Sequence, residues 1–257
     1  CLVGSEMCIR DSCHGDYRIA SPILVKQYPT KLEISNPGGF IGGITAENIL
    51  HHPPTARNPH LVDLMTRLRL VNRANLGISR MYQLLLIEGK EPPLFDMKGA
   101  AVVVTFLRSE FSLAIRQWVA EEERSGGELG VDALLIIQYL LRHAEIEPAT
   151  AARICQRSED EAREILSELS QRRGYLFRGG TGRGTYFVLN HELYRRLAGP
   201  GDPEEFGRIE WEAAKTRILS ILKQRAAREE PGLTNADVRA MPRYDRQQVK
   251  RLLGQLQ

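Results

Sequence analysis

The segments that decide the fold are LEISNPGGF (residues 32–40), TARNPHL (55–61) and RANLGISRM (73–81). The first alternates polar and apolar residues, which predicts a strand, and then breaks at a Pro-Gly-Gly turn. Gly38 and Gly39 there permit positive φ and a close approach of the backbone to a ligand. In the third segment, Asn75 and Gly77 precede an apolar helical pattern whose first amides could face an anion. This order of elements predicts a nucleotide pocket, although a plain strand-and-turn pair would look similar.

Composition narrows the class of protein but not its partner. The chain has 257 residues, 42% hydrophobic and 26% charged, which predicts two or three ordinary globular domains. No apolar run approaches the roughly 20 residues of a membrane span, so we expect no membrane partner. A net charge of +3 is too small to predict nucleic-acid binding by itself. The four cysteines form no C-x-x-C pair, so neither zinc nor a disulfide framework is predicted and a cytoplasmic location is expected.

The first half of the chain predicts an α+β sandwich. Residues 1–12, CLVGSEMCIRDS, resemble translated sequencing-adaptor read-through and are excluded as an artefact. Short strands are predicted at 23–26, 32–34 and 101–107, and helices at 60–70 and 78–88. A loop rich in glycine, histidine and proline at 42–59 separates the second strand from the first helix. We expect the authentic chain to start near Cys13, so that the sandwich lacks its first part.

Four motifs in this half resemble one known family. The runs CHGDY, LEISNPGGF, ARNP and NLGISRMYQLLLIEGKEPPLF are similar to the RecG-like helicase C-terminal domain of the histidine-kinase-like ATPase superfamily. The resemblance covers about residues 13–107. In that family the domain usually follows a Schlafen-type AlbA domain and precedes winged helices, in transcriptional regulators or ATP-binding proteins.

The resemblance implies a set of ATP-binding residues, each at a matching position of this chain. His14, Asp16 and Tyr17 match the family's His-Arg-Asp-Tyr, with Gly15 in place of the arginine. The implied cofactor-binding residues are those of the first glycine box, the lid loop and the second glycine box: Asn36, Gly38, Gly39, Arg57, Asn58, Asn75 and Gly77. Asn75 departs from the usual glycine, but asparagine is the next best residue at positive φ.

One part of the implied ATP site has no counterpart in the sequence. In the superfamily, a magnesium-holding asparagine and a general-base glutamate precede the His-Arg-Asp-Tyr run. Here the adaptor-like residues 1–12 occupy that place. We therefore expect weak ATP binding or none, no metal ligand and no catalytic residue in this chain.

Residues 131–195 predict a winged helix-turn-helix. Three helical patterns, at 131–142, 148–156 and from 158, precede two alternating strands at 175–178 and 185–189. A capping box at Ser158 and Glu161 predicts the start of the third helix. The glycine-rich loop between the strands lacks the Gly-Lys-Ser/Thr ending of a Walker loop and predicts a hairpin wing. Arg178 and Arg183 in this wing either contact phosphate or minor groove, or keep the loop soluble.

A second copy of the helix-turn-helix pattern follows. AREILSEL (162–169) and VKRLLGQL (249–256) share their apolar positions. The first presumed recognition helix, 158–173, has three arginines against five acidic residues, so phosphates would repel it. Residues 232–257 have five basic against two acidic residues, which predicts DNA contacts. The predicted DNA-binding residues of this copy are Arg243, Arg246, Gln247 and Lys250; the alternative is a merely solvated basic face.

The sequence as a whole predicts an α+β protein: a partial histidine-kinase-like ATPase sandwich followed by two winged helix-turn-helix modules, the second truncated. The predicted domains lie at 13–107 (ATP-binding type), 108–130 (helix and linker), 131–195 (winged helix 1), 196–210 (linker) and 211–257 (winged helix 2). The preferred function is a prokaryotic transcriptional regulator that binds double-stranded DNA and ATP, either as a monomer or as a homo-oligomer. The alternatives are an ATPase or helicase-associated protein and a protein-interaction module, the latter favoured by the acidic helix of winged helix 1.

We predict that Arg246→Ala or Lys250→Ala in the full-length protein lowers its DNA affinity and flattens the salt dependence of binding, because each change removes a phosphate contact. DNA titrations over a salt series measure both effects. Binding that is unchanged at every salt concentration would remove the assignment.

Overall fold

The computed structural model describes residues 13–53, 55–70, 76–109, 111–180 and 184–198. The chain divides into two compact units. Unit 1 comprises Cys1–Leu135 and Ala152–Ser158, and unit 2 comprises Ile136–Ala151 and Glu159–Gln257. Residues 1–12, Asn75, Arg183 and the whole second winged-helix prediction lie outside the described residues.

Unit 1 contains a four-stranded antiparallel sheet. Its strands are β1 (Leu24–Gln27), β2 (Lys31–Pro37), β3 (Leu94–Lys98) and β4 (Ala101–Leu107), in the order β1-β2-β4-β3. Ile34 of β2 and Val104 of β4 are opposite each other and buried, so the two central strands supply the apolar face. A turn closed by the Tyr28 amide and the Lys31 carbonyl oxygen, 2.8 Å apart, joins β1 to β2. Gly99, at φ +62°, makes the turn between β3 and β4.

Three helices of unit 1 accompany this sheet: α1 (Pro59–Arg67), α2 (Leu76–Ile87) and α3 (Leu113–Arg124). Helix α1 begins with proline, which has no amide to leave unsatisfied. Ser112 caps α3 by accepting a hydrogen bond from the Ile115 amide. The ring of Tyr82 on α2 stacks on Phe95 of β3, with centroids 6.5 Å apart and planes 7° from parallel. Trp118 of α3 is 1% exposed, so α3 also contributes to the core.

The next elements in the chain run from α4 to α7. They are α4 (Val131–Leu140), α5 (Pro148–Cys155), α6 (Glu159–Gln171), β5 (Leu176–Gly179), β6 (Tyr186–Leu189) and α7 (His191–Leu197). The unit boundary passes within α4 and within α5. In unit 2, β5 and β6 form an antiparallel pair, and Ile146 adds a bridge to Phe187 through two hydrogen bonds of 2.9 Å. Leu140, Leu166 and Leu189 are among its buried residues.

The predicted mixed α+β class with antiparallel sheets is confirmed. Two elements were not predicted. Strand β3 has four exposed residues out of five, so its sequence lacks the apolar alternation that marks a half-buried strand. Helix α7 is only seven residues long, too short for a periodic pattern, and depends on Asn190, whose side chain accepts from the Glu192 amide. Within the described part of the chain, no helix has the length and apolar character needed to cross a bilayer.

Candidate ligand site around the first glycine turn

The first glycine turn is closely packed against other parts of unit 1. β2 ends at Pro37, and Gly38 follows at φ +100°, donating its amide to the Ala100 carbonyl oxygen at 2.8 Å. A Cβ at Gly38 would lie 2.8 Å from Cβ of Asp16 and 3.0 Å from Cζ of Arg57. Glycine is therefore required here both by its dihedral angle and by the space available. The close approach that the sequence predicts at this turn is an approach to protein atoms.

Asp16 is the acidic centre of this region. Its amide donates to the Pro37 carbonyl oxygen at 2.8 Å, which fixes the segment 13–16 beside the glycine turn. Its carboxylate accepts from Arg18 Nε at 2.9 Å and Nη2 at 2.8 Å, and from Arg57 Nη1 at 3.4 Å. Asp16 is only 8% exposed, so these partners replace most of its water. The hydrogen bonds from Arg18, and then the charge of Arg57, hold the pKa of the Asp16 carboxyl well below its usual range.

Arg57 and Asn58 fasten the end of the lid loop, residues 42–58, to this centre. Besides Asp16, the Arg57 guanidinium donates to the carbonyl oxygens of His14, at 3.0 Å, and of Gly39. Asn58 Nδ2 donates to the carbonyl oxygens of Cys13 at 3.0 Å and Gly15 at 2.8 Å. Except for the bond to Gly39, these bonds join residues more than forty positions apart. We call the group formed by Asp16, Arg18, Gly38, Arg57 and Asn58 the Asp16 cluster.

The structure brings together four of the seven residues predicted to bind ATP: Gly38, Gly39, Arg57 and Asn58. Asn36 is half-buried within β2, opposite Val102 of β4. Gly77 is exposed in the first turn of α2, and Asn75 lies outside the described residues.

Of the residues predicted to contact DNA, Arg178 is exposed on β5, opposite Phe187 of β6. The other predicted DNA contacts, Arg183, Arg243, Arg246, Gln247 and Lys250, lie outside the described residues.

Sequence reasoning missed the central roles of Asp16 and Arg18. The run Asp16-Tyr17-Arg18 carries a weak signal, because an arginine two positions from an aspartate can fold back onto its carboxylate. Nothing in the sequence indicates that Arg57 shares the same carboxylate, since that contact depends on the path of the lid loop.

The cluster holds a loop in place, and it does not by itself make a magnesium–triphosphate site. Its two guanidinium groups already face the Asp16 carboxylate, so a phosphate would have to compete with that carboxylate for Arg57. Across the described residues, no group of three His, Cys, Asp or Glu side chains could hold a metal ion. A phosphate at this turn would therefore gain Arg57 only by displacing it from Asp16.

Comparisons with known proteins agree with the fold. A family described as "Putative ATP-dependent DNA helicase recG C-terminal" matches residues 20–106, within the domain predicted at 13–107. The crystal structure of the DIP2311 protein from Corynebacterium diphtheriae is similar in fold, with a TM-score of 0.69 and 23% identity. That alignment covers 99% of this chain but 46% of the other, so the chain spans less than half the length of that protein. Comparison with curated proteins gives no match.

We predict that Asp16→Asn lowers the free energy of unfolding at pH 7 and that its difference from the unchanged chain shrinks on acidification. The pKa of Asp16 is depressed in the folded state, so its contribution is complete above the unfolded value of about 3.9 and is lost progressively as the pH falls from there toward the lower folded value. Urea midpoints measured at pH 7, 5 and 3 test this. Asp96→Asn is the control, because Asp96 is exposed on β3. An Asp16→Asn effect of the same size at all three pH values would contradict the account.

Proposed function

We propose that residues 131–195 form a winged helix that binds double-stranded DNA, within a transcriptional regulator in which residues 13–107, part of unit 1, are a nucleotide-type effector domain. The observation that carries this proposal is the order of elements. Helix α4, a single bridged residue at Ile146, helices α5 and α6, and strands β5 and β6 follow one another along the chain. Helix, short strand, two helices and a hairpin is the order of a winged helix-turn-helix, in which the second helix of the pair is α6.

The charge of α6 determines how this module can meet DNA. Its first turn contains Glu159, Asp160 and Glu161, and Arg163 pairs with both Glu159 and Asp160. Arg163 is thus occupied by the acidic turn that would enter the major groove. Phosphates repel such a turn, so α6 is a poor reader of bases.

Basic residues concentrate instead after the end of α6. In the described parts of 171–198, five arginines accompany one acidic residue, Glu192; the arginines are Arg172, Arg173, Arg178, Arg195 and Arg196. Arg178 projects from the hairpin that would form the wing, and it is exposed. Contacts of this kind fix a protein on the phosphate backbone without reading sequence. We therefore assign the first winged helix, residues 131–195, a backbone-contacting role, with sequence reading left to the basic second module predicted at 211–257.

The role that we propose for unit 1 is regulatory. The family that matches residues 20–106 is named for an ATP-dependent helicase, which supports a nucleotide as the ligand class. The Asp16 cluster fixes the end of the lid loop, which supports regulation through the position of that loop more than it supports ATP hydrolysis. Cys13 and Cys155 are free and buried, and burial raises the pKa of both thiols, which suits a reducing cytoplasm.

Two other functions have specific observations in their favour. An ATPase or helicase-associated role agrees with the name of the matching family, and ATP hydrolysis stimulated by DNA would establish it. A protein-interaction module agrees with the acidic first turn of α6, which suits a basic partner surface. A winged module that fails to retain DNA at low salt, yet retains a basic protein, would favour the interaction module.

We predict that the chain binds ATP weakly or not at all. Arg57 is held by Asp16, so a phosphate would have to compete with that carboxylate and would gain little from Arg57. Isothermal titration calorimetry with ATP and magnesium is the measurement, and a Kd of about 1 µM, equivalent to roughly −8 kcal/mol, would contradict the prediction. The comparison variant is Asp16→Asn, which removes the carboxylate that competes with phosphate for Arg57. ATP should therefore bind this variant at least as well as it binds the unchanged chain.

We predict that Arg178→Ala weakens binding of double-stranded DNA about two- to fivefold and lowers the slope of log K against log salt by about 1, because one phosphate contact is lost. Arg124→Ala is the matched control: Arg124 is an exposed arginine at the end of α3 in unit 1. Titrations between low and physiological salt measure the slope. Equal slopes for Arg178→Ala and the unchanged chain would remove the wing from the interface.

A further inference from the structure

Gln156, the residue that follows α5, has a backbone conformation that its residue type does not favour. Its φ is +54°, in the left-handed region where helices usually end with glycine or asparagine. A glutamine kept at such a position points to a use for its side chain, since the backbone alone would prefer a smaller residue.

The side chain of Gln156 joins three elements of unit 1. Its Oε1 accepts from the Leu50 amide at 2.8 Å, and its Nε2 donates to the Ala46 carbonyl oxygen at 3.1 Å. A further side-chain hydrogen bond links it to Tyr82 of α2. Burial raises the pKa of Tyr82 to about 12, so its hydroxyl keeps its proton at neutral pH. Gln156 therefore holds the described stretch 42–53 of the lid loop between α5 and α2.

A second contact lies beside the first. Nε2 of His51 is 3.2 Å from Oδ1 of Asp132 and 2.9 Å from the Cys155 carbonyl oxygen. Both atoms are acceptors, so Nε2 carries a hydrogen and donates it. Asp132, in the first turn of α4, is itself fixed by Arg157, whose Nε and Nη2 donate to Oδ2 at 3.2 and 3.1 Å. The loop is thus tied to the start of α4 and to the end of α5.

The lid loop therefore has two anchors. One is the Asp16 cluster, through Arg57 and Asn58, beside the first glycine turn. The other consists of Gln156, His51 and Asp132, and all of these residues belong to unit 1. The helices that carry Asp132 and Gln156 continue along the chain into unit 2. Any displacement of the loop that breaks the second anchor changes the restraint on the ends of both helices.

We propose that Gln156 is a positioning residue that couples the lid loop to DNA binding: the loop's attachment to α5 sets the DNA affinity of unit 2, and DNA binding alters that attachment in return. This inference rests on the proposed DNA-binding function. The attachment is a contact that is either made or broken, and coupling between two such events is reciprocal.

The first arm of the test uses the Leu50 amide as its reporter, because the Gln156 side chain accepts its hydrogen bond. Hydrogen exchange is measured on the complete chain with and without saturating double-stranded DNA. We expect the Leu50 exchange rate to change about fivefold or more, the lower end of typical allosteric coupling. The amide of Val104, at the centre of the sheet, serves as the internal control and should not change.

The second arm uses Gln156→Gly, which removes the side chain while suiting the positive φ, so that a change cannot be attributed to backbone strain. We expect a DNA Kd at least about threefold different from that of the unchanged chain, as reciprocity requires. Ala149→Ser, an exposed position on α5 whose substitution leaves the charge unchanged, is the matched control and should leave the Kd unchanged. His51→Asn removes the second contact while leaving the residues of α5 and Gln156 unchanged. It takes the place of Gln156→Gly if that variant does not fold.

The outcomes separate the two proposals. Two results would overturn the coupling and leave the DNA-binding function standing. In the first, the chain binds DNA but the Leu50 exchange rate stays constant. In the second, Leu50 exchanges rapidly in Gln156→Gly but the DNA Kd is unaltered. Failure of the unchanged chain to bind DNA would overturn the proposed function, and the coupling with it. A Leu50 response together with a Kd shift in Gln156→Gly or His51→Asn, absent from Ala149→Ser, supports the coupling.

Discussion

One carboxylate shared by two arginines organises the part of unit 1 where the sequence motifs meet. Asp16 accepts from Arg18, two residues away, and from Arg57, across the lid loop. Asp16 is 8% exposed, so burial removes most of the water around its carboxylate. The hydrogen bonds from Arg18 and Arg57 compensate for that loss, and without them the segment 13–16 could not lie against the glycine turn at low cost. The path of the lid loop, the placement of Gly38 and the low pKa of Asp16 all follow from this arrangement.

The same interaction explains why the motif residues look like a ligand site in the sequence. Glycine beside a sheet end, and arginine and asparagine on a mobile-looking loop, are residue types that hold phosphates in many proteins. Here, however, Arg57 and Asn58 donate to backbone carbonyl oxygens of residues 13–15 and 39. Their donors satisfy the protein's own acceptors, which buried backbone groups require. The donors of Arg57 and Asn58 are therefore engaged within the protein itself.

Elements with strong periodicity could be predicted from the sequence, and contacts across long separations could not. Strand β4, with its run of valines, and helix α6, with buried Ala162, Leu166 and Leu169, were predicted because their apolar spacing is local information. Strand β3 was missed because exposure on an edge removes the alternation. Within the candidate site, the glycine turn was predicted, but Arg18 was not, and the sharing of Asp16 depends on a loop closing over forty residues. The assignment of α4 to β6 as a winged helix remains a prediction.

The charges of α6 and the conformation of Gln156 both bear on the proposed role of the first winged helix. In the proposed winged helix, α6 would be the recognition helix, and the three acidic residues at its start, which also engage Arg163, make it poorly suited to read bases. Gln156 lies in the link between α5 and α6, at a positive φ that residues other than glycine and asparagine rarely adopt. Its side chain hydrogen-bonds to the lid loop and to Tyr82. In a module specialised for base recognition, this turn would be shaped by the fit of α6 in the groove. Here Gln156 contacts residues of unit 1, as the proposed coupling between the lid loop and DNA binding requires.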